Sequence, residues 1–406
     1  MMPVIIKTLH GRIRFEVQRF KNKIQSAKKG ENYFELTKQF QEVYITPRLQ
    51  ELSAYYSTIL SYKEVENLVI RVTGDKQISD QKAWQIVNDK AVEISQSWQD
   101  QVEKTLNNKA LSFPKIQDKI DIYDSKSREV LVLEDAIQVH GQKENRVKKQ
   151  KFNEKKPVDL LKERRPPVEK EKSSPVFTNI AMLQKKNQEF ELIVAPIDEK
   201  SQETVSLPDR LKSRVIEEYG SEKEPVPIIV AITDGAQVIR QHLFSVFGVM
   251  LIIILDWYHL GKKVRDLMSM IARNKDEKNL HLKFIFYHLW RGEVYTVMDY
   301  LEKKVQPKNQ EKHRELISYL NKHRDEIIDY RRRKKAGKMI GSGCMEKSCD
   351  QVVGHRQKKK GMSWREAGSR SLGILRVTEL NHQWKRFWFP TEAANDSEQL
   401  RLAANS

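Results

Sequence analysis

Cysteine is nearly absent from this chain. Only Cys344 and Cys349 occur in 406 residues. That excludes a disulfide framework as the basis of the fold and rules out a four-cysteine zinc site. A mixed site from Cys344, Cys349 and His355 stays open beside the plainer reading of small cysteines packed under a helix. Long apolar runs are also missing. The longest, Val249-Met-Leu-Ile-Ile-Ile-Leu255, falls far short of the ~20 residues that a membrane span takes, and reads as one buried strand. The N-terminal Met1-Met-Pro-Val-Ile-Ile-Lys7 has neither a long apolar stretch nor a small-residue cleavage pattern, so a cytoplasmic location and no membrane partner are expected. Acids are in deficit. Lys and Arg number 73 against 55 Asp and Glu, a formal net charge of +18, which favours a polyanion such as nucleic acid as partner. No internal repeat stands out.

Residues 1 to 125 read as helical and charged, with apolar residues at helical spacing through Phe34-Glu-Leu-Thr-Lys-Gln-Phe40 and Val43. Ser61 to Gly74 is expected as one helix, opened by a Ser61/Glu64 capping box and stopped by the glycine. Gln77-Ile-Ser79 leads into a second helix, capped by Ser79, with Trp84, Ile86 and Val87 as its apolar face. Helix, short glycine turn, helix over residues 61–90 is the helix-turn-helix pattern, open between a DNA-reading module and two ordinary packed helices.

From residue 126 strand signals alternate with turns: 129–139, Val176–Leu183, Phe190–Pro196, then a helix Leu207–Tyr219 stopped by Gly220, strand 227–233, helix 235–247 and strand 249–255. Three strands, helix, strand, helix, strand predicts an α/β domain with a mixed sheet, a meander feeding a parallel crossover, which is the layout of RNase H-like domains. Between Gln142 and Ser174 lies a Lys/Arg-rich, proline-containing segment, read as a loop or insertion. Residues 257–338 return to helix, as a helical insertion. Residues 339–392 turn through Gly341-Ser-Gly343 into further helices, the last about Ser363 to Trp388, and the tail from residue 393 is expected to be loose.

Three acids stand at the ends or centres of these elements: Asp135 in strand 129–139, Asp234 after strand 227–233, and Glu346 after the glycine turn. Two magnesium ions roughly 3.5–4 Å apart can activate an attacking oxygen and steady a leaving one on a phosphodiester, and each ion takes only one or two carboxylates. Three converging acids suffice, with manganese as a substitute metal. Strand alternation puts Glu134 and Asp135 on opposite faces, so register decides which of them is functional. Asp234-Gly235 also suits a plain turn, and Glu346 suits an exposed position near a helix start. Asp256 competes with Asp234. It too follows an apolar strand, and with His259 it could share one helical face as metal ligands or, more plainly, cap a helix. Arg331, Arg332, Arg333, Lys334 and Lys335 form one basic run, and Arg356, Lys358, Lys359 and Lys360 a second. With Trp364, they are expected to contact DNA, and the first run also suits a helix C-terminus.

The segments Ile232-Thr-Asp-Gly-Ala236, Leu255-Asp-Trp-Tyr-His259, Ile340-Gly-Ser-Gly-Cys-Met-Glu346 and Gly361-Met-Ser-Trp-Arg-Glu-Ala-Gly-Ser-Arg370, with Trp384 and Phe387-Trp388, resemble the ISKra-type bacterial insertion-sequence transposases over residues 130–390. The resemblance implies a DDE transposase with an RNase H-like catalytic core, using magnesium. Asp135, Asp234 and Glu346 fall on the family's three acids, although Ala136 stands where the family commonly has glycine after the first. It further implies cleavage at the element's terminal inverted repeats, strand transfer into target duplex DNA, a dimer or larger synaptic assembly, and association with the nucleoid. The rival expectations are a transposase-derived DNA-binding protein without catalysis, and an RNase H-like nuclease that cuts without joining.

Overall fold

The computed structural model describes residues 2–20, 31–32, 43–108, 112–115, 121–142, 174–220, 228–248 and 251–390. It is a mixed α/β protein built on a five-stranded sheet. In chain order the elements are β1 Met2–Thr8, β2 Gly11–Val17, β3 Arg19–Phe20, β4 Glu31–Asn32, β5 Val43–Ile45, α1 Pro47–Ser57, α2 Tyr62–Thr73 and α3 Asp80–Asn107. The sheet region follows with β6 Glu129–Val139, β7 Val176–Gln184, β8 Phe190–Ile193, α4 Leu207–Tyr219, β9 Ile228–Thr233, α5 Gln237–Phe247 and β10 Leu251–Leu255. The helical remainder is α6 Trp257–Ile271, α7 Lys275–Leu289, α8 Val294–Lys304, α9 Gln310–Lys322, α10 Tyr330–Lys335, α11 Gly343–Cys349, a π-helical turn Asp350–Gly354, α12 His355–Gln357, α13 Glu366–Leu380 and α14 Trp384–Trp388.

Strand order in the main sheet is β10-β9-β6-β7-β8. β6, β7 and β8 form an antiparallel meander, while β9 pairs parallel to β6 and β10 parallel to β9. β6 is therefore central, and alternation along it feeds two cores. Val130 and Val132 pack with Leu211, Val215, Leu243 and Phe247 of α4 and α5 on one face. Leu131 and Leu133 join the larger core with Ile94 of α3, Val353 and Leu375 of the C-terminal helices on the other. Each fully buried Leu, Ile or Val of this kind contributes about 1.5–3 kcal/mol.

The N-terminus departs from the helical expectation. β1 pairs antiparallel with β2 through the turn at Leu9 and His10, and parallel with β5, so Val43 lies in a strand. Phe34 to Phe40 lies outside the described residues, as do the Lys/Arg-rich residues 143–173 and the tail from 391. The two capped helices do form. Ser61 and Glu64 make the reciprocal capping box, Gly74 closes α2 at φ 73°, and the Ser79 side chain caps α3. Yet α3 runs 28 residues rather than stopping near 90. Its far half is tied to the sheet region: Arg210 stacks 3.5 Å over Trp98, and Gln101 and Thr105 donate to Glu217 at 2.6 and 2.5 Å. Ile86 and Val87 are buried as expected, but Trp84 is 42% exposed. The last helix is also not continuous. It breaks between α13 and α14, where His382 adopts φ 59°.

Candidate functional site

Register on β6 separates its two acids. Glu134 is buried on the α5 side, where His242 Nδ1 lies 2.6 Å from Glu134 Oε1, and burial raises the Glu134 pKa. Asp135 turns to the opposite face, toward α11. Its Oδ1 accepts the Ala136 N–H at 2.7 Å, and Cys349 Sγ lies 3.9 Å from its Oδ2. Burial lifts the Cys349 thiol to about 12, so this cysteine is an inert packing group.

Asp234 ends β9, the neighbouring strand, and is exposed. One of its oxygens accepts the Ala236 N–H at 2.8 Å, which closes a local turn. Gly235 has φ 86°, and a Cβ there would stand 2.8 Å from His323 Cε1. Only glycine meets both demands. The turn reading and an available carboxylate therefore coexist at this position.

Asp256 has the different role that its helix-cap reading anticipated. It is 1% exposed, and its oxygens accept the N–H groups of Tyr258 at 2.6 Å and His259 at 2.8 Å, the Ser342 hydroxyl at 2.8 Å, and the Ser342 N–H. With its lone pairs so engaged, Asp256 caps α6 and clamps the Gly341-Ser-Gly343 turn; it is not an open metal ligand. The turn crosses directly over Tyr258, since a Cβ on Gly341 would fall 2.6 Å from that ring. Glu346 follows in the first turn of α11, with its side chain 58% exposed and Oε1 3.5 Å from His259 Nε2. Among the described residues His259 Nδ1 has no hydrogen-bond partner.

Asp135, Asp234, His259 and Glu346 thus share one electrostatic neighbourhood. Burial raises the Asp135 pKa, the negative charges of Asp234 and Glu346 push the same way, and the Ala136 N–H and His259 oppose them. Like charges left facing one another are costly. The acids are not drawn up as a finished cage, however. Among the described residues no group of three or more His, Cys, Asp or Glu side chains could hold a metal ion, which also excludes Cys344, Cys349 and His355 as a zinc site there.

Sequence reasoning missed two features nearby. The α11 helix widens into the π turn Asp350–Gly354; Glu346 and Asp350 are exposed while Cys349 is buried. π turns recur at functional sites. The one signal was Gly354, where a Cβ would come 2.2 Å from Asp350 Oδ1. The second is Tyr319 of α9, whose hydroxyl is raised to about 12 by burial and then by Asp234, Glu326 and Asp256.

The basic runs divide. Arg331, Arg332, Lys334 and Lys335 are exposed, and Arg331, Arg332 and Lys335 line an open pocket of about 570 Å³ with Tyr123 and Ser125. Arg333 is 0% exposed: it is paired with Glu129 and donates to Met339 O at 2.6 Å and Ile122 O at 3.2 Å. Arg356 is 5% exposed, donating to Ser57 O at 3.0 Å, with its guanidinium 4.9 Å over Trp364. Trp364 is itself buried and donates to Gln357 O at 2.9 Å. These three are packing anchors, contrary to the expectation that they contact DNA. The reason is tertiary: each finds carbonyl or carboxylate partners inside. Lys358 and Lys359 remain exposed, and the Lys360 side chain lies outside the described residues.

No helix among the described residues is long and apolar enough to cross a membrane. No curated protein matches the chain. Among solved structures, the Drosophila P element transposase strand transfer complex matches at 8% identity and a TM-score of 0.29, covering 86% of this chain and 83% of that one. A model of the uncharacterised protein family UPF0236 matches residues 183–387, about half of the chain, and the chain belongs to that family.

Proposed function

We propose that the chain is a DDE-type DNA transposase that nicks a strand at the ends of its own element and joins the freed 3′-hydroxyl to target DNA. The main sheet would be an RNase H-like core, and α6 to α10 the helical insertion before the third acid. The observation that carries this reading is placement: Asp135 lies on the central strand β6, Asp234 directly follows the neighbouring parallel strand β9, and Glu346 stands in the first turn of α11, whose Cys349 lies 3.9 Å from Asp135. Asp135, Asp234 and Glu346 would hold magnesium or manganese, two ions per site. When bound, such ions supply an activated attacking oxygen and stabilise the leaving one. The chain's own residues would do the rest. The Asp256–Ser342 clamp fixes the turn that carries Glu346, while Arg331, Arg332, Lys334, Lys335, Lys358 and Lys359 hold DNA phosphates. The α2–α3 pair would engage the terminal repeats, and paired ends call for a dimer or larger assembly in the nucleoid. The test is strand cleavage of an end-containing duplex with magnesium. Asp234→Asn and Glu346→Gln should each lower product by more than about 100-fold, beyond the cost of losing an outer-shell partner. Undiminished cleavage rejects the assignment.

A DNA-binding protein without catalysis is the second reading, favoured by the exposed cations Arg331, Arg332, Lys334 and Lys335 beside an open pocket. Tight magnesium-independent binding with no product would establish it. Cut product without joined product would instead indicate a nuclease.

A further inference from the structure

The Gly361–Arg370 segment, left without a chemical role once Trp364 proved buried, forms one wall of an open groove of about 830 Å³ whose other wall is the start of α2 and α3. Its lining is specific in kind. Lys63, Arg356 and Arg365 line it and no acid does. Trp84 stands on the rim as the exposed tryptophan of the described chain, with Nε1 3.8 Å from where a Cβ on Gly368 would lie. Trp364 provides an apolar floor, with the Arg356 guanidinium beneath it. Tyr62 also lines the groove, and its hydroxyl is buried with no hydrogen-bond partner among the described residues.

An exposed indole and an exposed guanidinium in a groove lined by no acid are the parts that recognise a nucleotide of a single strand: a face on which a base stacks and a cation that neutralises a phosphate. We propose that this groove holds an unpaired nucleotide of a DNA strand, with its base stacked on Trp84 and its phosphate toward Arg365. The inference rests on DNA as the substrate but not on cleavage. Lys63 already shares Glu66 at 2.5 Å, so Arg365, which is exposed, is the better phosphate partner.

The test uses the full chain in EDTA, so that no strand is cut, with a short single-stranded oligothymidine, the same sequence as duplex, and thymidine monophosphate as probes. The single strand should quench tryptophan fluorescence and bind more tightly than the mononucleotide. Trp84→Ala should abolish the quench and weaken strand binding by about tenfold, the scale of one lost base stack, while Trp84→Phe retains most of the affinity. Arg365→Gln should lower the slope of log affinity against log salt by about one. Melting curves of the variants should match the wild type, because both side chains are largely outside the core. Strand binding unchanged in Trp84→Ala overturns the inference, as does an acidic peptide that displaces the strand as well as unlabelled oligothymidine. A wild type that binds duplex alone overturns this inference and leaves the proposed function standing; one that binds no DNA at all overturns both.

Discussion

Arg331 and Arg333 sit two positions apart in one basic run, and their chemistry differs completely. The Arg333 guanidinium is buried against Glu129, which also has Lys338 at 3.2 Å. Arg333→Ala removes one of the two cations on the Glu129 carboxylate and leaves the Met339 and Ile122 carbonyls without their donor, and should cost about 3 kcal/mol in thermal or urea unfolding. Arg331→Ala should stay within about 0.5 kcal/mol yet reduce the salt slope of DNA binding by about one. Equal stability losses in the two variants would contradict this division. Asp135 carries the opposite kind of stability effect. Its folded pKa is raised, so the protonated form suits the fold. The stability it contributes is present below the pKa of a free aspartate, about 3.9, and is lost as pH rises through the folded value. Asp135→Asn should therefore raise the melting temperature of metal-free protein at pH 7, with the difference vanishing near pH 3. The same change should abolish cleavage. A variant less stable than wild type at pH 7 would show that Asp135 is a structural partner instead.

The elements matter most where they meet. Asp256 joins the start of α6 to the turn before α11, so one carboxylate sets both the His259 and the Glu346 backbones. Asp256→Ala should lose about 1–2 kcal/mol as a missing cap and also lower cleavage at unchanged DNA affinity. Ser342→Ala, which removes one clamp bond, should cost about 1 kcal/mol. Full activity in an unfolding-compensated Asp256→Ala assay would remove the clamp from the account. Local chemistry is what made elements readable in the sequence: Ser61 and Ser79 each cap the helix that follows, and the apolar runs ending at Thr233 and Leu255 are buried strands. The N-terminal strands were legible in the alternation of Ile13, Phe15 and Val17 with Arg12, Arg14 and Glu16, but the density of charge masked it, and the pairing of β1 with β5 is non-local. The π turn and the break at His382 carry no periodicity of their own. Burial of Arg333, Arg356 and Trp364 depends on partners far along the chain, such as Glu129 and Ser57, which no local pattern announces.

At the scale of the whole molecule, a chain of formal charge +18 carries its three proposed site acids on a central strand, just past a neighbouring strand and on a clamped helix. On the proposed function the surplus cations would draw in a polyanion, and the acids would be tolerable beside it only with divalent ions between them. The proposed function therefore requires Asp135, Asp234 and Glu346 to converge on one site. Iron(II) binds oxygen sites of this kind and, with ascorbate and peroxide, cuts the backbone wherever it is held. Loading the full chain with iron(II) on an end-containing duplex should give three cuts, close to Asp135, Asp234 and Glu346, all suppressed by excess magnesium and lost together in Asp135→Asn. Cuts at one of these segments alone, or elsewhere in the chain, would contradict the account.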